Sequence, residues 1–329
     1  MTRLFSPSSF VQTTVLLSLT ALSMFSQAQT AGWPQKPIKI IVPFAAGGNT
    51  DSIARLTAER LTQSLGQTVV VENKAGAGGA IAADLVAKAT PDGYTLLMAA
   101  MPVLAILPTI TKTNFDPLRD FAPISIVGSN PFVMAIHKSV PAANAMELAD
   151  FAKKNTRKLN YASGGSGSVS HLSAALFVKR ANIDMTHISY KGGSPAVTDL
   201  LGGQVQMYFG NLSELAPHAA GGQIRIIGVS SAQRARQLPD VPTIAESGFP
   251  GFKTITWNGL VAPAGTPPAI INRIAAIVKD AVAQPDMIAK LGQMGVDPIG
   301  DTPAQFMDTL KADLSVWSEA AKASNLKME

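Results

Sequence analysis

The stretch Ile38-Lys39-Ile40-Ile41-Val42-Pro43-Phe44-Ala45-Ala46-Gly47-Gly48-Asn49-Thr50-Asp51-Ser52 carries the information that decides the fold. Its apolar opening reads as a buried strand, and Gly47-Gly48 ends that strand in a loop. A helix is expected from about Ser52 to Leu65, because Ile53, Leu56, Leu61 and Leu65 recur near helical spacing. Working outward, Thr68–Val71 is the next strand, Ile81–Ala89 the next helix, and Tyr94–Ala99 a third strand after the turn at Pro91-Asp92-Gly93. This alternation predicts an α/β unit built on a mainly parallel sheet flanked by helices.

A second unit of the same kind begins near Pro131. Phe132–Ile136, Leu159–Ala162, the stretch around Thr186–Tyr190, Val205–Phe209 and Ile224–Val229 read as strands. Ala145–Lys154 and Val169–Arg180 read as helices. Ser194-Pro195 is expected to open a further helix, with Ser194 as N-cap and Pro195 at the first position, and Gly202-Gly203 to end it. Strand-like Phe252–Val261 then leads the chain back to the first unit, and a helix from Pro268 to Ala283 and two more helical stretches follow. The expected architecture is α/β, two lobes each with a mainly parallel sheet flanked by helices. Lobe one is 29–130 plus 254–329, lobe two is 131–253, and two crossover strands form a hinge.

Ahead of both lobes, Arg3, the apolar run Val15–Phe25 and the small residues of Ser26-Gln27-Ala28 read as a cleaved secretory signal over residues 1–28. Export to the periplasm is the corresponding expectation. No later segment reaches the ~18 unbroken apolar residues of a membrane span. The absence of cysteine excludes disulfides, thiolate metal sites and a cysteine nucleophile. A net charge of +5 is spread in single basic residues and short pairs such as Lys153-Lys154, with 6% aromatic residues, which argues against nucleic acid as a partner.

Two loops concentrate the chemistry: Pro43–Asp51, and Tyr161-Ala162-Ser163-Gly164-Gly165-Ser166-Gly167-Ser168. Each lies between a strand and a helix, at the sheet edge where α/β proteins bind ligands. Glycine lets backbone N–H groups approach a ligand, and the helix behind adds positive potential, so each loop is a candidate anion site without any charged side chain. Tyr190-Lys191-Gly192-Gly193 repeats the device, and Lys191 is placed to counter a carboxylate. Asp51 is read as the cap of its own helix. Phe44, Tyr190 and Phe209 are candidate pocket walls. If the lobes face one another, the loops grip a small carboxylate from both sides.

The segments Trp33–Arg55, Val69–Leu97, Tyr161–Phe177, Tyr190–Phe209 and Val241–Phe252 resemble the substrate-binding receptors of tripartite tricarboxylate transporters, the Bug family of bacterial periplasmic proteins. The resemblance implies ligand contacts at Phe44, Ala46, Gly48 and Asn49, and at Ser163, Gly164, Gly165, Ser166 and Ser168. Gly47, Tyr190, Lys191, Gly192 and Asn211 complete the candidate set. It further implies a two-lobed periplasmic binding-protein fold of type II character and inner-membrane transporter subunits as partner. The facing loops favour a di- or tricarboxylate, amino acid or aromatic acid as ligand; a membrane sensor is the alternative partner, and no cofactor and a monomer are expected. Two positions depart from the family pattern: Ser166, where Asn is usual, and Gly210 before Asn211, where Asp is usual. Both lie where the far end of a ligand is read.

Enzyme readings are weaker. Gly164–Ser168 misses G-x-S-x-G at its last position, although His171 follows closely. Gly76-Ala77-Gly78-Gly79 lacks the third glycine of a dinucleotide fingerprint, since Ile81 stands there. His137, His171, His187 and His218 show no paired metal spacing. The chain is therefore expected to bind rather than to catalyse.

Overall fold

The computed structural model describes residues 32–190 and 192–324; the expected signal over 1–28 and Lys191 lie outside them. The first unit runs β1 (Ile38–Val42), α1 (Asn49–Leu65), β2 (Val69–Asn73), α2 (Ala80–Ala87) and β3 (Thr95–Ala100). β1 is buried at four of its five positions because helices cover both its faces. α1 turns Ile53, Ala54, Ala58, Leu61 and Leu65 to the core and stops at Gly66, whose φ of 69° lets its N–H reach back to Thr62 O at 3.1 Å. A wide helical turn at Pro102–Ile106 and α3 (Leu107–Ile110) lead to β4 (Phe121–His137).

The second unit follows: α4 (Ala145–Lys154), β5 (Asn160–Ser163), α5 (Val169–Arg180), β6 (Thr186–Ser189), α6 (Gly193–Leu201), β7 (Met207–Asn211), α7 (Leu212–Ala220) and β8 (Ile224–Val229). β9 (Ile255–Pro263) then returns to the first unit, where α8 (Pro268–Val282), α9 (Pro285–Gln293), β10 (Asp297–Pro298) and α10 (Pro303–Ala323) end the chain.

The strand order is β2-β1-β3-β9-β4-β7-β5-β6, with β8 and β10 also on β4. Parallel pairing holds within each unit, between β1 and its neighbours β2 and β3 and between β5 and its neighbours β6 and β7. The connecting strands pair antiparallel, so the whole is a mixed α/β sheet. β4 is the seam. Its first part pairs with β9 as far as Pro131↔Ile255, and from Phe132↔Asn211 onward its partners are β7 and β8. The change falls at Pro131, which has no N–H to hold a ladder.

Two expectations need correction, and one packing feature is added. Ser194 is not an N-cap: α6 starts two residues earlier, behind Gly192, whose φ of 111° suits glycine. α7 follows β7 directly; the sequence reading had no helix there, because Pro217 inside it reads as a breaker. α10 lies across both units: it packs Phe306, Leu310 and Trp317 into the largest core, and Glu319 pairs with Arg180 of α5 at 3.0 Å. Each of those large apolar side chains is worth about 1.5–3 kcal/mol of burial.

Candidate ligand-binding cleft

The first glycine loop is held by Asp51. This residue is the third of α1 rather than its cap, which is Gly48. Its carboxylate accepts the Gly47 N–H at 2.9 Å, two bonds from Arg55 and one from the Asn73 side chain at 2.9 Å. Burial alone pushes this carboxyl up, yet the bonds from Arg55, Gly47 and Asn73 outweigh it and hold the group at about 2. Asn73 also donates to Phe44 O, so the loop is tied to β2 at both ends.

The second loop rests on two histidines, His171 buried and His187 half-buried. His171 and His187 stack with ring centroids 3.8 Å apart and 7° between planes, and Tyr161 stacks on His187 at 5.1 Å. His171 Nδ1 accepts the Gly167 N–H at 3.1 Å, while His187 Nε2 meets Ser163 Oγ at 2.7 Å. Burial, and then the facing His187, lower His171 to about 4; burial lowers His187 as well. At neutral pH both rings are therefore uncharged props.

Several of the loops' glycine N–H groups are already bonded within the protein. Gly47 donates to Asp51, Gly164 to Ser170 Oγ at 2.9 Å, Gly165 to Ser163 Oγ at 3.2 Å and Gly192 to Gly164 O at 3.1 Å. Glycine here serves close packing of backbone on backbone: a Cβ on Gly164 would sit 3.3 Å from the Gly192 carbonyl carbon. The donors left over lie one or two residues further on, at the first helical turns, where N–H groups have no partner within the helix.

Those turns line a cleft. A cavity of about 500 Å³ is bounded by Ser168, Val169, Ser170, Gly193, Tyr208 and Glu214, and one of about 190 Å³ by Phe44, Asn49, Thr50, Asn130, Trp257 and Asn258. Phe132 and Asn211 line both, so the two adjoin. The starts of α1, α5, α6 and α7 thus line two adjoining cavities, where the sequence predicts that the starts behind the first two glycine loops share a cleft. A further cavity of about 490 Å³, beside Trp33, Tyr94 and Ile270, belongs to the first unit alone and touches neither glycine loop.

Of the candidate residues, Phe44, Asn49, Ser168 and Asn211 line this cleft. Ala46, Gly48 and Ser166 are exposed on their loops, and Ser163 is fully buried beneath. Tyr190 is bound to Asp199 at 2.6 Å, which fixes it against α6 rather than in the cleft. Phe209 is not a wall: it is buried among Phe177 and Phe252, and its neighbour Tyr208 faces the cavity instead. Successive strand residues point to opposite faces, so only one of the pair can do so. Residues missed in the sequence include Thr50, Asn130, Ser170, Tyr208, Glu214 and Asn258. The first-turn positions of α1 and α5 were legible as helix starts; Glu214 was not, because α7 itself was not.

The hydrolase reading has no geometric support. Ser166 Oγ meets Ser189 Oγ at 3.4 Å, and the Nδ1 of His171 is committed to a backbone N–H.

Two α/β units joined by two crossing strands, with helix N-termini converging on the cleft between them, define a solute-binding receptor. The chain belongs to the tripartite tricarboxylate transporter receptor family, whose pattern it matches over residues 53–326. It is 37% identical over 306 residues to the UPF0065 protein in the tcbD-tcbE intergenic region of Pseudomonas sp. (strain P51), covering 93% of this chain and 91% of that one. Among solved structures it is similar to R. palustris Rpa4515 with adipate, at 33% identity and a TM-score of 0.72, covering 91% of this chain and all of that one. It is also similar to MatC of Rhodopseudomonas palustris with bound malate, at 32% identity and a TM-score of 0.67, over 88% and 99% of the two chains. No described helix is long and apolar enough to cross a membrane.

Proposed function

We propose that this chain is an exported receptor that captures a small organic carboxylate between its two units and presents it to inner-membrane transporter subunits, without turning it over. One observation carries the reading: four helix N-termini line a single cleft in which no basic side chain stands among the described residues. Such a site neutralises an anion through backbone dipoles and N–H donors. The relatives that hold adipate and malate are consistent with that chemistry. On this reading the functional units are 29–130 with 254–329 and 131–253, closing about the crossings near Pro131 and Ile255, and the receptor acts as a monomer. The apolar N-terminal run Val15–Phe25 is the export signal.

The test is thermal unfolding of the mature protein against mono-, di- and tricarboxylates, amino acids, aromatic acids and sugars. A true ligand at 100 times its Kd stabilises by about 2.7 kcal/mol, a shift of a few degrees or more. A shift confined to carboxylate-bearing compounds is the expected outcome. A shift with sugars alone refutes the reading.

A further inference from the structure

Among the described residues that line the cleft, one side chain is formally charged, and it is negative. Glu214 stands at the third position of α7, half-buried, on the wall of the larger cavity. Among the residues lining both parts of the cleft it alone is acidic or basic. The carboxylate packs against the start of α6, where a Cβ on Gly193 would meet Glu214 Oε1. The Tyr208 hydroxyl faces the same carboxylate, and His218 lies one turn further along α7. No ion pair forms on Glu214 among the described residues. Burial pushes this carboxyl above the ordinary glutamate range, and an adjacent cation would bring it back.

We propose that Glu214 selects, among carboxylates, those that also carry an ammonium group: amino acids and other amino-carboxylates. The inference rests on the carboxylate reading above. The anionic end lies at the first turns of α1 and α5, and the ammonium meets Glu214 across the cleft. A simple dicarboxylate would instead bring a second negative charge toward a half-buried carboxylate. That is unfavourable unless one of the two takes up a proton. The charge pattern of this cleft therefore suits a zwitterion, in contrast to the plain dicarboxylates seen with the two relatives.

Isothermal titration of the mature protein with matched pairs decides it: succinate against aspartate and glutarate against glutamate, at neutral pH, in the wild type and in Glu214→Gln. A charge-assisted hydrogen bond predicts that the aminated member of a pair binds about tenfold or more tightly. Glu214→Gln, which keeps shape and removes charge, is expected to lose that preference and to gain affinity for the dicarboxylate. Wild-type protein that binds dicarboxylates as tightly as their aminated partners overturns the inference and leaves the carboxylate reading standing. An unchanged ratio in Glu214→Gln overturns it equally. Should neither series bind while other carboxylates of the thermal-shift panel do, the inference fails and the carboxylate reading stands; should none of that panel bind, the carboxylate reading fails. If the variant does not fold, the wild-type ratio alone decides.

Discussion

At the scale of single residues, the cleft is shaped by groups that no ligand touches. His171 accepts the Gly167 N–H with a neutral ring, and its face lies 3.8 Å from that of His187. Protonation would remove the acceptor and place a cation in an apolar stack. The folded protein resists it, with His171 lowered to about 4 against an ordinary 6.5. The sign follows from proton counting. Between those two values the unfolded chain binds a proton that the folded chain does not. The contribution is thus complete above pH 6.5 and is lost as pH falls toward 4. Each unit is worth about 1.4 kcal/mol, so the loss amounts to about 3 kcal/mol. Denaturant unfolding at pH 7 and pH 4.5, wild type against His171→Gln, measures it. The wild type should lose more stability than the variant, whose amide oxygen accepts without titrating. Parallel losses in the two proteins would remove His171 from the account.

At the scale of elements, the decisive objects are helix starts rather than glycines. Asn49 is the first residue of α1; its side chain donates to Asn130 Oδ1 at 3.3 Å, and it lines the cleft. Asn49→Asp changes almost no volume, and an acidic group at a helix N-terminus is favourable to the helix by about 0.3–1 kcal/mol. The same charge repels a ligand carboxylate. Affinity should fall about tenfold or more, while the melting temperature without ligand changes little because the lost bond to Asn130 offsets the gain at the helix start; undiminished affinity would take α1 out of the site. This element-level picture was largely legible in the sequence: β1, α4, α5 and β8 fall within a residue or so of where periodicity puts them, because each carries a clean apolar pattern and a clear boundary. What was hidden is non-local. Nothing near Gly164 announces that Ser170 will accept its N–H, nor near Gly47 that Asp51 and Asn73 will lock its loop. The parity of β7, which sends Tyr208 to the cleft and Phe209 to the core, depends on sheet faces that a short apolar strand does not reveal. α7 was lost to Pro217, and Glu214 with it.

For the whole molecule, the question is what the two crossings permit. β4 and β9 are paired along most of their shared length, so the ribbon between the units is stiff until β4 changes partners at Pro131 and Phe132. Phe132 lies on that change and also lines both parts of the cleft, so rotation at the seam and contact with a ligand meet in one residue. α10 sets a second constraint, since it packs on α5 through Arg180 and Glu319 and must slide as the units turn. Closure of this kind costs little energy in either direction, and a ligand shifts the balance only by its preference for the closed form. The absence of native cysteine makes this directly measurable. Spin labels on Glu59→Cys in α1 and Lys154→Cys in α4, both exposed, report the distance between units without a cysteine-free background having to be built. Saturating ligand should move the distance distribution to shorter values and narrow it, because contacts from both units then hold one geometry. An unchanged distribution with confirmed binding would mean that the site is already formed, and that a transporter recognises the ligand at the cleft mouth rather than a change in shape.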